Sequence, residues 1–294
     1  MMRKIWRVLL IAATLLMPQA SVLAWHDTGH MVVSQIAYDR LNPRAKERVD
    51  ALTKTIRFCG RTYDGVTISV WMDDIKSDST HDDLDQWHYV NPPLFDGIAP
   101  DPSIKLTDNN VITRTKWVIE MLKKGTGTDK KDAELLGYMV HLVGDIHQPL
   151  HAATRHSAGN RDGDLGGNKF KLNQPEATNL HSYWDAAGGL FYFWSPPRPM
   201  EDYTRRRFDA YVRAVVAAHP ANNLASEWRV LDPEKWAQES FDLARTAAYD
   251  LPENSVPTNA YAERTRDVSR RRIALAGYRL AQLLNTIYPD NVTR

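Results

Sequence analysis

The segment His141-Leu-Val-Gly-Asp145-Ile-His147-Gln-Pro-Leu-His151 is the densest run of metal-ligand side chains in this sequence. On a helix, His141 and Asp145 are four residues apart and share one face. Pro149 ends such a helix and lets His151 turn back toward the same space. The spacing recurs in His181-Ser-Tyr-Trp-Asp185. Neutral imidazole and carboxylate are suitable zinc ligands. One His-x-x-x-Asp pair is weak evidence, because ion pairs on helix surfaces share that spacing. Two such pairs, with His151 close behind one of them, point to metal. Two further segments add ligand types. Trp71-Met-Asp73-Asp74-Ile-Lys76 places carboxylates at the end of a predicted helix, and Gln86-Trp-His88-Tyr89-Val-Asn91 places an imidazole among aromatics. Taken singly, Asp73 reads as a capping or surface carboxylate and His88 as a core histidine.

Helical periodicity supplies the elements that must position these groups. Thr28 to Leu41 sets Val32, Val33, Ile36, Ala37 and Leu41 on one face. Asn42-Pro43 reads as an N-cap with proline at the first helical position, opening a helix toward Thr53. Residues 67–76, 107–124, 132–147, 178–187, 199–218, 232–249 and 259–288 read as further helices. Two long irregular stretches interrupt them, 81–105 and 152–174, and loops of this length in a compact domain are often functional. Strand-like alternation is scarce and no linker is visible. The expectation is an all-α fold: residues 25–294 as one mostly helical domain with long active-site loops.

The first 24 residues stand apart. Arg3, Lys4 and Arg7 precede the apolar run Val8–Met17, and small residues follow up to Ala24. This is the pattern of a secretory signal peptide, with cleavage expected between Ala24 and Trp25 and export to the periplasm or medium. Cleavage removes three basic residues and no acidic ones, so the formal charge passes from +1 to −2. Hydrophobic residues are 43% and charged residues 25%, which excludes a disordered chain or a multi-span membrane protein. The basic footprint of most nucleic-acid-binding proteins is missing, so any nucleic acid must be attracted by a local site. Cys59 is the only cysteine. It forms no intramolecular disulfide and is expected as a small buried residue. Trp25-His-Asp-Thr-Gly-His30 would present a free α-amino group after cleavage, itself a competent metal ligand, with His30 five residues on.

Together, Trp25…Gly29-His30, Trp71-x-Asp73, His88-Tyr-Val-Asn91, His141-x-x-Gly144-Asp145-x-x-Gln148-Pro149-Leu150-His151, Gly163-Asp-Leu-Gly-Gly-Asn168 and Asn179-Leu-His181-Ser-x-Trp184-Asp185 resemble the S1/P1 family of zinc-dependent nucleases, in that family's order. The resemblance implies a mostly helical fold of the phospholipase C/P1 nuclease type with three zinc ions in a cleft. One zinc of a close pair would take Asp73, His88, His141 and Asp145. The other would take the amine and carbonyl of Trp25, His30 and the second oxygen of Asp145. The third would take His151, His181 and Asp185. His147 is not a ligand position in the family, and is expected to back the ligands or face solvent.

The activity so implied is hydrolysis of single-stranded DNA and RNA to 5′-phosphate products by a metal-activated water, with 3′-nucleotidase activity as a further family property, in a monomer. Catalytic roles fall on Asp145 and Lys76. Lys76 stands where fungal members have an arginine, and lysine lacks the bidentate fork. Tyr89 would stack on a base. Asn91, in place of an aspartate, can both donate and accept, which alters or relaxes base preference. Asn168 would shape the cleft. Two other readings remain open. One is a zinc phospholipase C acting on phospholipid head-groups, alone or alongside nucleic acid, and the other is a non-enzymatic zinc-binding helical module.

Overall fold

A computed structural model describes residues 25–191 and 194–290. The expected leader and its cleavage point after Ala24 lie outside the described residues. The helices are α1 (Asp27–Tyr38), α2 (Pro43–Thr53), α3 (Trp71–Asp74), α4 (Val111–Lys124), α5 (Asp129–Asp145), α6 (Leu180–Asp185), α7 (Asp202–Ala218), α8 (Ala225–Trp228), α9 (Pro233–Leu243) and α10 (Asn259–Ile287). Among the described residues there are also two two-stranded sheets: β1 (Arg57–Phe58) with β2 (Arg61–Thr62), and β3 (Pro93–Phe95) with β4 (Thr154–His156). The fold is mostly helical, as expected. No described helix is long and apolar enough to cross a membrane.

Side-chain caps decide where the helices begin. Asn42 accepts the Ala45 amide at 2.7 Å and Pro43 occupies the first turn of α2. Asn110 and Thr113 form a reciprocal capping box, so α4 starts at Val111 rather than Thr107. Thr128 caps α5 and moves its start back from Asp132 to Asp129. The predicted helix over 67–76 is instead a 3₁₀ turn (Thr67–Val70), the single turn of α3 and another 3₁₀ turn (Ile75–Ser77). Asp64 draws its entrance tight, accepting the Val66 and Thr67 amides at 2.9 and 2.7 Å. The predicted helix over 232–249 leaves α geometry after Leu243 for a π turn, Ala244–Ala248.

The stretch 81–105 is less irregular than its composition suggests. A 3₁₀ helix covers Ser79–His88, and β3 then pairs in parallel with β4, Pro93 opposite Thr154 and Phe95 opposite His156. Just upstream of that pairing, the Val90 amide donates to the His151 carbonyl at 2.8 Å. The two loops are thus zipped together by backbone. Cys59 departs from expectation and is exposed. It sits with Gly60 in the two-residue turn joining β1 to β2, at φ 47° and 77°. Such turns need positive φ at both positions, and their tips face water.

α5 is the central rod. Its residues from Leu135 through Asp145 are buried almost without interruption, packed by α1, α4 and α10. α10 can lie close against α1 because Gly277 has no side chain. A Cβ there would stand 2.6 Å from Ile36 Cγ2.

Beyond Asp145, polar groups from α9 and α10 receive the end of the rod. Ser240 Oγ donates to the Ile146 carbonyl at 2.6 Å and Arg272 Nε to the His147 carbonyl at 3.1 Å. His147 is buried, against the solvent-facing alternative. Its Nδ1 donates to the Val143 carbonyl at 2.7 Å, so its Nε2 is free to accept from Arg279 Nη1 at 2.8 Å. Burial, with Arg272 and Arg279 alongside, holds the imidazole well below its usual pKa and therefore neutral. Glu239 balances both buried guanidinium groups, at 2.6 Å from Arg272 and 2.7 Å from Arg279. Breaking such a network by removing one member leaves buried charge and unmet hydrogen bonds. Arg279→Met is expected to lower the free energy of unfolding by about 3 kcal/mol, read from urea denaturation. A loss within about 0.5 kcal/mol, the size of an ordinary surface change, would show that the network contributes nothing.

Candidate metal centre

Four segments converge at the end of α5. His30 comes from α1, Asp73 from α3, His88 from the end of the 3₁₀ helix, and His141 and Asp145 from α5 itself. Asp145 stands at the centre. Its Oδ1 lies 3.3 Å from His30 Nε2, and its Oδ2 lies 2.9 Å from His88 Nδ1 and 3.3 Å from His141 Nε2. Asp73 Oδ1 is 3.6 Å from His141 Nε2 and 4.0 Å from His88 Nδ1. Beside this group, His151, His181 and Asp185 form another, with His181 Nε2 at 3.5 Å from Asp185 Oδ2 and the two rings 4.9 Å apart. Ligand atoms therefore gather in three sets, His30–His141–Asp145, Asp73–His88–His141 and His151–His181–Asp185, each within 4.8 Å.

Backbone carbonyls set which imidazole nitrogen faces inward. His141 Nδ1 donates to the Ser69 carbonyl, His151 Nδ1 to the His88 carbonyl and His181 Nδ1 to the Gly166 carbonyl, each at 2.7 Å. In the neutral ring this leaves an Nε2 lone pair aimed away from the carbonyl. The His30 and His141 rings stack 4.0 Å apart at 12°. Gly144 permits this: its missing Cβ would stand 2.6 Å from His30 Nδ1. The Trp25 indole donates to the Gly144 carbonyl at 3.1 Å and is wholly buried. The next amide, of His26, donates to the Asp185 carbonyl at 3.0 Å. The Trp25–His26 backbone thus lies where the first two sets meet the third.

The electrostatics call for cations. Burial depresses the pKa of His30, His151 and His88, the last to about 3 with Lys76 contributing, which keeps their lone pairs available. His141 goes the other way. Burial lowers it, but Asp145 and Asp73 outweigh burial and carry it to about 9. Asp145 is pushed up by burial yet held well below the carboxylate range by His141, His30 and His88. Asp185 is driven well above it by burial, with Asp145 and Asp73 adding to the rise against a 2.7 Å hydrogen bond from Gln148. Buried polar atoms of this set also lack hydrogen-bond partners: His30 Nδ1, His88 Nε2 and His151 Nε2. Buried carboxylates and neutral imidazoles with unmet lone pairs are the donor set of divalent zinc, and the residues present fit it.

The other expected site residues fall at different distances from this centre. Lys76 pairs with Asp73 at 2.7 Å and is mostly buried. Tyr89 and Asn91 line a cleft of about 210 Å³ with Gln86, Lys105, Leu106 and Asn110. Asn168 turns inward on its own loop and donates to the Leu165 carbonyl at 2.8 Å. Gln148, which orients Asp185, had no role assigned from sequence. Its signal is the Gln-Pro-Leu tripeptide before His151. Ser69, Gly166 and the arginines of α10 act on the site through backbone atoms or at a distance, and nothing in their side-chain pattern announces it.

Comparison with known proteins identifies a family for the chain. The S1/P1 Nuclease family pattern matches residues 25–289. Among curated relatives, Endonuclease 3 of Arabidopsis thaliana is 26% identical over 97% of this chain and 95% of its own length. Nuclease S1 of Aspergillus oryzae is 24% identical over 94% and 96%, and Nuclease P1 of Penicillium citrinum is 20% identical over 92% and 100%. Among solved structures, the alpha toxin from Clostridium absonum aligns with 92% of this chain and 68% of its own, at 16% identity and a TM-score of 0.46. The match runs from the buried tryptophan at residue 25 to the end of α10: this chain belongs to the S1/P1 nuclease family and is a hydrolase of phosphoester bonds.

Proposed function

We propose that the protein is an exported endonuclease that hydrolyses single-stranded DNA and RNA to 5′-phosphate products with three zinc ions, and that it also removes 3′-phosphates from nucleotides. The observation that carries this reading is the convergence of three ligand sets on one buried space, with Asp145 offering one oxygen to each of two of them. Asp73, His88, His141 and Asp145 hold one ion. His30, Asp145 and the Trp25 amine and carbonyl hold its neighbour, and His151, His181 and Asp185 hold the third. Zinc so held supplies Lewis acidity, yielding a nucleophile from water near neutral pH and polarising phosphoryl oxygens.

The chain's own residues do the rest. Asp145, clamped by three imidazoles, would be held to present one oxygen toward His30 and the other toward His88 and His141. Lys76, 2.7 Å from Asp73, would offer a positive charge beside this ligand set to a substrate phosphate. Tyr89 offers a stacking face whose phenol burial keeps neutral, and Asn91 meets the base edge as donor or acceptor. Asn168 secures the loop that carries the Gly166 carbonyl. Unpaired strands are favoured because a duplex hides its base faces from Tyr89. A near-neutral protein needs no basic surface when its cations are concentrated in the cleft.

The deciding experiment uses chain beginning at Trp25, supplied with zinc and single-stranded DNA or RNA, with phosphatidylcholine hydrolysis followed alongside. Release of 5′-nucleotides that chelator abolishes is expected; lipid cleavage without nucleotide release would move the activity to the phospholipase side. Because metal binding is coupled to folding, EDTA is also expected to lower Tm. Losing ~4 kcal/mol of metal-linked stability costs roughly 10 °C in a chain of this size, and an unchanged melting curve would contradict a metal-held fold. One extra residue before Trp25 replaces the amine with an amide. Zinc bound per chain, measured after dialysis, should then drop together with activity; full activity would remove the amine from the ligand set. Gly144→Ala drives a methyl into the His30 ring. Zinc affinity or activity should fall about 10- to 100-fold, as for other groups that orient a ligand, whereas retention of both would mean that His30 need not stand where it does.

A further inference from the structure

Residues 194–198 lie against the first turn of α1. Trp194 anchors them on α7, where its indole stacks on Tyr211 at 5.4 Å and 29° and the Arg207 guanidinium sits 4.7 Å over its ring. From there the segment grips α1. Thr28 Oγ1 donates to the Trp194 carbonyl at 2.7 Å, and Ser195 Oγ donates to Asp27 Oδ2. Arg198 Nη2 donates to the same Asp27 oxygen at 2.5 Å. On its other edge, Arg198 Nε stands 2.8 Å from Asp74 Oδ2 in α3. The Arg198 side chain is only 10% exposed. With both edges engaged and little of it open, this guanidinium is not placed to take a substrate phosphate.

The two carboxylates sit beside ligands of different sets. Asp27 is two residues after Trp25 and three before His30, and Asp74 directly follows Asp73. Inside the centre these two sets are joined through α5, whose His141 belongs to both. Arg198 joins them from outside. Neither carboxylate depends on Arg198 for a partner. Asp74 also accepts from Arg61 Nη1 at 2.6 Å and from the Tyr63 hydroxyl at 2.8 Å, and Asp27 accepts from Ser195. Among the described residues, Arg198 is the cation that Asp27 and Asp74 share, so what it adds is the connection. A planar guanidinium presents donors on two edges at a fixed angle, which the single point charge of lysine cannot do.

We infer that Arg198 is a positioning residue for the metal centre: by bridging Asp27 to Asp74, it holds the Trp25–His30 segment and Asp73 at one separation. This rests on the zinc reading above. Ligands held in place before an ion arrives lose little freedom on binding it, and so bind it more tightly.

The test uses chain beginning at Trp25 and compares Arg198→Met, Arg198→Lys, Asp27→Asn and Arg61→Met. The last removes a partner of Asp74 and leaves the bridge whole. Zinc bound per chain is measured after dialysis against a graded competing chelator, with kcat and KM on a single-stranded oligonucleotide alongside. The most weakly held zinc is expected to lose affinity about 10- to 100-fold in Arg198→Met and in Asp27→Asn, as for other groups that orient ligands. Arg198→Lys should recover little of it, and Arg61→Met should match wild type. Combining Arg198→Met with Asp27→Asn should cost no more than either alone, because both break one bridge. At limiting zinc kcat should fall with KM unchanged, and saturating zinc should restore it. Unchanged zinc affinity in Arg198→Met and Asp27→Asn would overturn the proposal and leave the nuclease reading intact; should Arg198→Met fail to fold, Asp27→Asn decides. An equal loss in Arg61→Met, or losses that add in the double variant, would mark separate structural effects and overturn it too. A kcat that stays low at full zinc occupancy would assign Arg198 to substrate instead. Wild-type chain that retains no zinc would overturn the zinc reading itself, and the proposal with it.

Discussion

Everything in this molecule is arranged around a carboxylate that water cannot reach. Asp145 is wholly buried at the end of a buried helix, with an imidazole on each of three sides. A charge in that position is tolerable only when it is paired and its neighbours are held in place. Each neighbour arrives on a different element, so α1, α3, α5 and the 3₁₀ helix that ends at His88 must meet within a few ångströms. That demand accounts for the small residues at the crossings. Gly144 makes room for the His30 ring, and Gly277 lets α10 draw close to α1, which carries His30.

Among its described residues the last third of the chain contributes no candidate ligand, yet it is not a passive tail. α9 and α10 supply the groups that close the end of α5: Ser240 on the Ile146 carbonyl, Arg272 on the His147 carbonyl and Arg279 on the His147 ring. Each of these carbonyls would otherwise be an unpaired acceptor in the interior at a helix end. Two guanidinium groups are buried for this, with Glu239 as their counter-charge. The exit of α5, and with it the position of Asp145, is thereby fixed by residues more than ninety positions away in sequence.

Much of the site could be read from the sequence because its ligands are side chains at helical spacing. His141 and Asp145 fall on one face of α5, and His181 and Asp185 on one face of α6, as four-residue spacing requires. The caps at Asn42 and Pro43 were legible for the same local reason. What sequence could not give was set by groups without a side-chain signature. The β3–β4 pairing comes from backbone meeting backbone across about sixty residues, in a stretch whose prolines argue for plain loop. Cys59 was misplaced because a thiol suggests burial, whereas the two-residue turn it occupies selects only for positive φ. Lys76 was visible as a cation but not its 2.7 Å engagement with Asp73. The i,i+3 spacing allows that contact, but spacing alone does not say which partner a lysine takes.

The tautomers of His141, His151 and His181 are set by the carbonyls of Ser69, His88 and Gly166. In many metal sites that task falls to a carboxylate side chain, which a single codon change can delete. A carbonyl belongs to every amino acid, so no substitution at these three positions removes the acceptor. Only a change in the path of the chain can do so. His88 is itself a candidate ligand and a Cβ at Gly166 would stand 2.4 Å from the Leu150 carbonyl, so these residues are constrained for other reasons, while the orienting task itself rests on backbone conformation. Vulnerability then shifts to the residues that shape the path, such as the left-handed turn ahead of Gly166.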